Sequence, residues 1–157
     1  LLEEALIIQS LDQLASMSGR ECLARRKSSM IEFKNPGGVA PPFGNYSHSA
    51  LVAKEARWLH VSGQVGVKPD GTMGRGIDEQ CEWAWKNLVG ILAASGMGLA
   101  DVVKTTTYLV DPGHVTAFRK ARDRVIGDHR PASTLVVVAA LASPDWLVEI
   151  ELEAARA

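Results

Sequence analysis

Apolar and polar positions along this chain change rhythm several times, and each change predicts an element. Ser49 to Ala53 and Arg57 to Val65 are β-rich runs separated by Lys54-Glu55-Ala56, which predicts a hairpin. Lys68-Pro69-Asp70-Gly71-Thr72 reads as a turn, because proline presets φ and Asp-Gly tolerates the positive φ that follows. Cys81, Trp85, Leu88, Ile91 and Leu92 then recur at helical spacing, with Asp78 as candidate N-cap and Gly96 as stop. Trp83 lies off that face, so it is expected to be exposed or at an interface. Asp101 to Val110 carries β-branched residues followed by Tyr-Leu-Val, the signature of a strand. Asp111-Pro112 places an N-cap before a proline at the first helical position. Val115, Phe118, Ala121, Arg122 and Val125 follow as the inner face of a second helix.

Thr134 to Ala140 and Leu147 to Ala154 complete the pattern as two strands joined across Ser143-Pro144-Asp145. They are apolar at nearly every position, and Val136, Val137 and Val138 in succession suit strands covered on both faces. The order strand–strand–helix–strand–helix–strand–strand predicts an α+β layer: one sheet with two helices on one face.

Residues 1–29 follow a different pattern. Leu2, Leu6, Leu11 and Leu14 suit one face of a short helix, Ser18-Gly19 breaks it, and Arg25-Arg26-Lys27-Ser28-Ser29 reads as a solvated linker. The chain thus divides into an N-terminal extension or linker, 1–29, and a domain, 30–157. The extension is either a lineage-specific arm or sequence upstream of a natural start.

At 157 residues there is room for one full core. A formal net charge of −1 provides no overall field toward nucleic acid or membrane. Apolar runs such as Leu135 to Leu141 fall short of the roughly 20 residues a membrane span needs. Glu3 and Glu4 stand where a signal peptide would be basic, so the cytoplasm is the expected compartment. Cys22 and Cys81 lack a CxxC context and read as idle thiols. His48, His60, His114 and His129 show no metal-ligand spacing, and Gly71, Gly74 and Gly76 no phosphate-loop register, so neither metal nor cofactor is expected. His48, two residues beyond Tyr46, can share its side of a strand, whereas His129 is placed to support the loop before Pro131.

Five segments together carry a resemblance. They are Gly44-Asn45-Tyr46-Ser47, Val61-Ser62-Gly63-Gln64-Val65, Asp101-Val102-Val103-Lys104-Thr105-Thr106, His129-Arg130-Pro131-Ala132-Ser133-Thr134 and Val148-Glu149-Ile150-Glu151. Over roughly residues 31–157 the chain resembles the Rid family of imine and enamine deaminases, also called YjgF-like or L-PSP-like proteins. The resemblance implies a chorismate-mutase-like fold and a homotrimer with small-molecule clefts between subunits. It implies that Glu149 positions or activates water, that Tyr46 is the aromatic residue at the cleft mouth, and that Gly63 is the glycine of Ser-Gly-Gln. In deaminating members an arginine follows the Pro-Ala pair and grips the substrate carboxylate. Here that position is Ser133, followed by Thr134, and both are candidate ligand contacts.

The missing arginine has a bounded cost. Hydrogen bonds to charged groups contribute about 1.5–3 kcal/mol each and a bidentate pair makes two, so carboxylate affinity falls by a factor on the order of 10² or more. Arg130 is an odd number of residues away, so in an extended segment it faces the opposite side, about 10 Å off; a bent loop would bring it back, and Arg130 or another arginine as substitute is the alternative. The expected function is therefore a Rid-like small-molecule cleft, hydrolysing an imine or enamine without a carboxylate or binding without turnover. The alternatives are an endoribonuclease, using the helix cations Arg119, Lys120, Arg122 and Arg124 around Asp123, and a structural or regulatory trimer. Plainer roles stand beside these: Ser133 and Thr134 as strand formers, Glu149 paired with Lys104, and Tyr46 packed at a subunit edge.

Overall fold

The structure is a computed structural model and describes residues 31–156; the division at residue 29 lies outside them. Two short strands, β1 (Ile31–Lys34) and β2 (Ser49–Val52), pair antiparallel as a ribbon. The main sheet contains β3 (Arg57–Val65), β4 (Val102–Leu109), β5 (Ala132–Val137) and β6 (Val148–Arg156) in the order β3-β6-β4-β5. Only β4 and β5 run parallel, and the crossover between them is the helix α2 (Val115–Ile126). The other helix, α1 (Gly76–Ala94), connects β3 to β4 and packs on β3, β6 and α2.

The fold is the expected α+β layer, with a correction at its first strands. The run before Lys54 does not form a hairpin with β3; it pairs with β1, a strand the patterning did not flag. Strand propensity is local, while the choice of partner depends on backbone distant in sequence.

The helices follow the patterning closely. Cys81, Trp85, Leu88 and Leu92 are buried on α1, and Gly96 ends it at φ +68°. Asp78 falls within the first turn, two residues inside the start, and makes no cap bond. Asp111 does cap: its Oδ1 accepts from the Gly113 amide at 2.7 Å and opens a 3₁₀ turn, Pro112–His114, that leads into α2. Trp83 is half-buried beneath the Lys86 ammonium, 4.3 Å from its ring centre.

Strand β6 corrects the expectation of apolar residues at nearly every position. Val148, Ile150, Leu152 and Ala154 are buried beneath the helices, while Glu149, Glu151 and Glu153 form a row on the opposite, outer face. In the single chain the outer part of β5 is open, with Val136 39% and Val137 45% exposed. In β3, Val61 pairs with Leu152 and Gln64 with Ile150, so the Ser62-Gly63 segment holds one extra residue, a bulge.

Candidate functional site

The sheet divides the five residues singled out from the sequence into separate groups. The loop through Gly44-Asn45-Tyr46 lies beside the start of β5, held by the Ser47 amide donating to the Pro131 carbonyl at 3.1 Å. That contact places Tyr46 and Ser133 in one cavity of about 210 Å³, lined also by Phe43, Leu135 and two arginines of α2, Arg119 and Arg122. The Tyr46 hydroxyl accepts from the Phe43 amide at 3.3 Å, and the rings of Tyr46 and His48 meet edge to face at 6.2 Å. Ser133 Oγ accepts from Thr105 Oγ1 at 3.0 Å; Thr105 is buried, so the Ser133 side chain turns to the helix side of the sheet.

Thr134 faces the other way. Its Oγ1 accepts from the Lys104 ammonium at 2.5 Å on the outer face, so Thr134 and Ser133 do not share a pocket within one chain. Lys104 lies opposite Glu153, not Glu149, which removes the expected Lys104–Glu149 pair. His60, Lys104, Glu151 and Glu153 surround a smaller recess of about 120 Å³ on this face.

Glu149 and Gly63 form a third group. Glu149 lies opposite Tyr108 on β4 and Val65 on β3, with its carboxylate against Gly63 in the bulge. Two strand spacings, roughly 10 Å, separate β6 from β5, and Glu149 and Ser133 occupy opposite faces. Beside Glu149, Tyr108 donates to Glu151 Oε1 at 3.4 Å. Burial raises the Tyr108 pKa above the usual phenol value, and the neighbouring carboxylates of Glu151 and Glu149 add to the shift.

Arg130 is held by its own loop. Its Nη1 donates to the Gly127 carbonyl at 2.7 Å and the His129 carbonyl at 3.1 Å, and Asp128 lies 3.7 Å from Nη2. His129 supports the same loop, as expected: its Nε2 meets the Val102 carbonyl at 2.7 Å.

The α2 cations do not form one patch. Arg119 and Arg122 face the Tyr46–Ser133 cavity, whereas Arg124 lines a separate groove of about 530 Å³ between α1 and α2. Arg122 is only 6% exposed, and Asp123 Oδ1 accepts from its Nε at 2.9 Å and its Nη2 at 2.7 Å. The other Asp123 oxygen accepts from Asn45 Nδ2 at 3.0 Å, which ties α2 to the tyrosine loop. In the sequence these arginines stood out only as phosphate contacts of the endoribonuclease alternative or as a solvated helix face. The available signal was the position of Arg122 on the apolar face of α2, which already implied a partner inside. Among the described residues no group of three or more His, Cys, Asp or Glu is placed to hold a metal ion, and no helix is long and apolar enough to cross a membrane.

Comparison with known proteins agrees with this fold. The profile of the family described as Endoribonuclease L-PSP matches residues 37–156. The chain is 33% identical to protein HMF1 of Saccharomyces cerevisiae, over 72% of this chain and 84% of that protein. It is 32% identical to the 2-iminobutanoate/2-iminopropanoate deaminase of Homo sapiens, over 77% and 82% of the two chains. Among solved structures, YyfB of Yersinia pestis, a Rid-family protein of unknown function, superposes with a TM-score of 0.71 at 31% identity, covering 80% of this chain and 98% of that one. With the sheet order, the two helices on one face and the matched span all in agreement, the chain belongs to the Rid/YjgF, or L-PSP-like, family.

Proposed function

We propose that this protein is a Rid-type small-molecule hydrolase, acting on an imine or enamine that it grips differently from the family's deaminating members. The observation that carries this reading is the shared cavity of Tyr46 and Ser133. The site keeps the aromatic residue of the expected cleft, while the strand arginine is replaced by a hydroxyl engaged with Thr105. In the reaction, water oxygen bonds to the imine carbon and the C–N bond breaks. The nitrogen leaves as ammonia with protons supplied by water, giving a carbonyl product. Glu149 is the proposed group that orients or deprotonates that water.

Glu149 and Ser133 lie on opposite faces within one chain, so the proposed site is completed by a second copy in a homotrimer. Phe43 at the cavity mouth is 84% exposed and Val137 on the open strand 45%, and such apolar surface suits coverage by another copy. The endoribonuclease alternative gains nothing from α2, whose cations diverge into two separate cavities.

The test is hydrolysis of imines generated in situ from small neutral amino acids by an amino-acid oxidase. Slow turnover by the wild type, lost in Glu149→Gln and increased in Ser133→Arg, is the expected result. Turnover unaffected by Glu149→Gln would remove the assigned role of that carboxylate.

A further inference from the structure

Position 133 on β5 carries no cation in this chain, but two arginines of α2 line the same cavity. Arg119 and Arg122 stand three residues apart, and so share a helix face; both line the cavity that holds Tyr46 and Ser133. Their situations differ. The Arg122 guanidinium is buried and neutralised by Asp123, in a two-pronged contact that leaves it little capacity for a ligand. Asp123 is engaged on both oxygens, because the second accepts from Asn45. Although Asp123 sits four residues beyond Arg119, at good spacing for an ion pair, its oxygens point to Arg122 and Asn45 instead. Among the described residues Arg119 makes no ion pair and no side-chain hydrogen bond, and it is exposed at the cavity. Arg119 and Arg122 against Asp123 leave one positive charge at a recess of about 210 Å³, enough room for a small ligand.

We infer that Arg119 is the anion-holding residue of this site, and that the ligand is a small anionic imine or enamine, or the oxo acid formed from it, gripped from α2 instead of from β5. The inference rests on the cavity of Tyr46 and Ser133 being the ligand site. It names the substrate class that Ser133 left open: the ligand keeps its carboxylate, and the carboxylate turns toward the helix. The Asn45–Asp123–Arg122 chain is the positioning element, since it engages Asp123, the one carboxylate in the sequence of α2, and so leaves Arg119 available. Ser133 is short and neutral, which vacates the space an arginine would fill.

The experiment is equilibrium binding of two probes, 2-oxobutanoate and the neutral 2-butanone, to the full chain. It uses wild type, Arg119→Gln, Arg119→Lys and, as a control in the other groove, Arg124→Gln. Wild type is expected to bind 2-oxobutanoate and to bind 2-butanone far more weakly. Arg119→Gln is expected to lose about ten-fold to a hundred-fold in affinity for the anion, Arg119→Lys less, and Arg124→Gln none. Arg119 is exposed, so folding of its variants can be verified by an unchanged melting temperature. Affinity unchanged in Arg119→Gln, equal binding of the two probes, or no binding of 2-oxobutanoate by wild type would each overturn the inference. The hydrolytic reading fails separately: Arg119-dependent binding without imine turnover by wild type would sustain the anion site and remove the reaction.

Discussion

Glu149 occupies the space that a side chain at position 63 would need. A Cβ built on Gly63 would overlap Glu149 Oε1 and come within 2.7 Å of Glu149 Cδ. The requirement is for space and not for backbone freedom, because Gly63 is not among the glycines with positive φ. Gly63→Ala is therefore expected to push the carboxylate aside while the flexible glutamate absorbs the clash. The proposed imine turnover should fall by about 10²-fold or more, as the role proposed for Glu149 requires, with little change in melting temperature. A large loss of stability with turnover per folded molecule intact would show that the pair is only a packing contact.

Gln80 secures the connection between β5 and β6 from inside. Its Nε2 donates to the Asp145 carbonyl at 2.9 Å and its Oε1 accepts from the Leu147 amide at 2.8 Å, and the residue is 3% exposed. Gln80→Leu leaves both backbone groups without their partner, at a cost of about 1–3 kcal/mol each. A lowered midpoint in urea, with an unchanged slope, is the expected result.

Tyr108 makes stability depend on alkaline pH. Burial first, then the Glu151 and Glu149 carboxylates, raise its pKa, so the folded state favours the neutral phenol. Its contribution is fully present below the unfolded value and is lost as pH rises through the folded one. Melting temperatures above about pH 10 should decline less steeply in Tyr108→Phe than in wild type. Parallel declines would exclude this group as the cause.

Cys81 is expected to behave as an inert thiol. Burial, followed by the Asp78 carboxylate, pushes its pKa up to about 12. In a Cys22→Ser background, a disulfide reagent at pH 8 should react about 10³-fold more slowly with native protein than with protein unfolded in urea. Any stability this thiol contributes is present below its unfolded pKa and is lost as pH rises through about 12. Rapid native-state labelling would mean that α1 opens away from the sheet.

Asp123 links two parts of the cavity, so its removal should be felt in both. Asp123→Ala strips the buried Arg122 of its partner and frees Asn45. An uncompensated buried charge costs about 3–5 kcal/mol, and the 40% exposure of the Asp123 side chain places the expected loss below that range. Asp123→Asn, which keeps an acceptor for Arg122, should recover part of it. Equal losses in the two variants would assign the effect to charge alone.

What the sequence determined by itself depends on neighbours along the chain. The burial of Trp85 and Leu88 on one face of α1, the stop at Gly96 and the capping of the turn before α2 by Asp111 all follow from helical spacing and local backbone chemistry. The residue segments that carry the family resemblance were legible in the same way, as was the serine at position 133. Tertiary structure alone decided that β2 joins β1 and not β3, and that β4 separates β5 from β6. It also decided that Ser133 shares a cavity with Tyr46 and Arg119, while Thr134 and Glu149 face elsewhere. The reason is physical. Alternation along a strand fixes which residues share a face, but strand neighbours are chosen by backbone hydrogen bonds and side-chain packing between segments distant in sequence, and no local pattern encodes that choice.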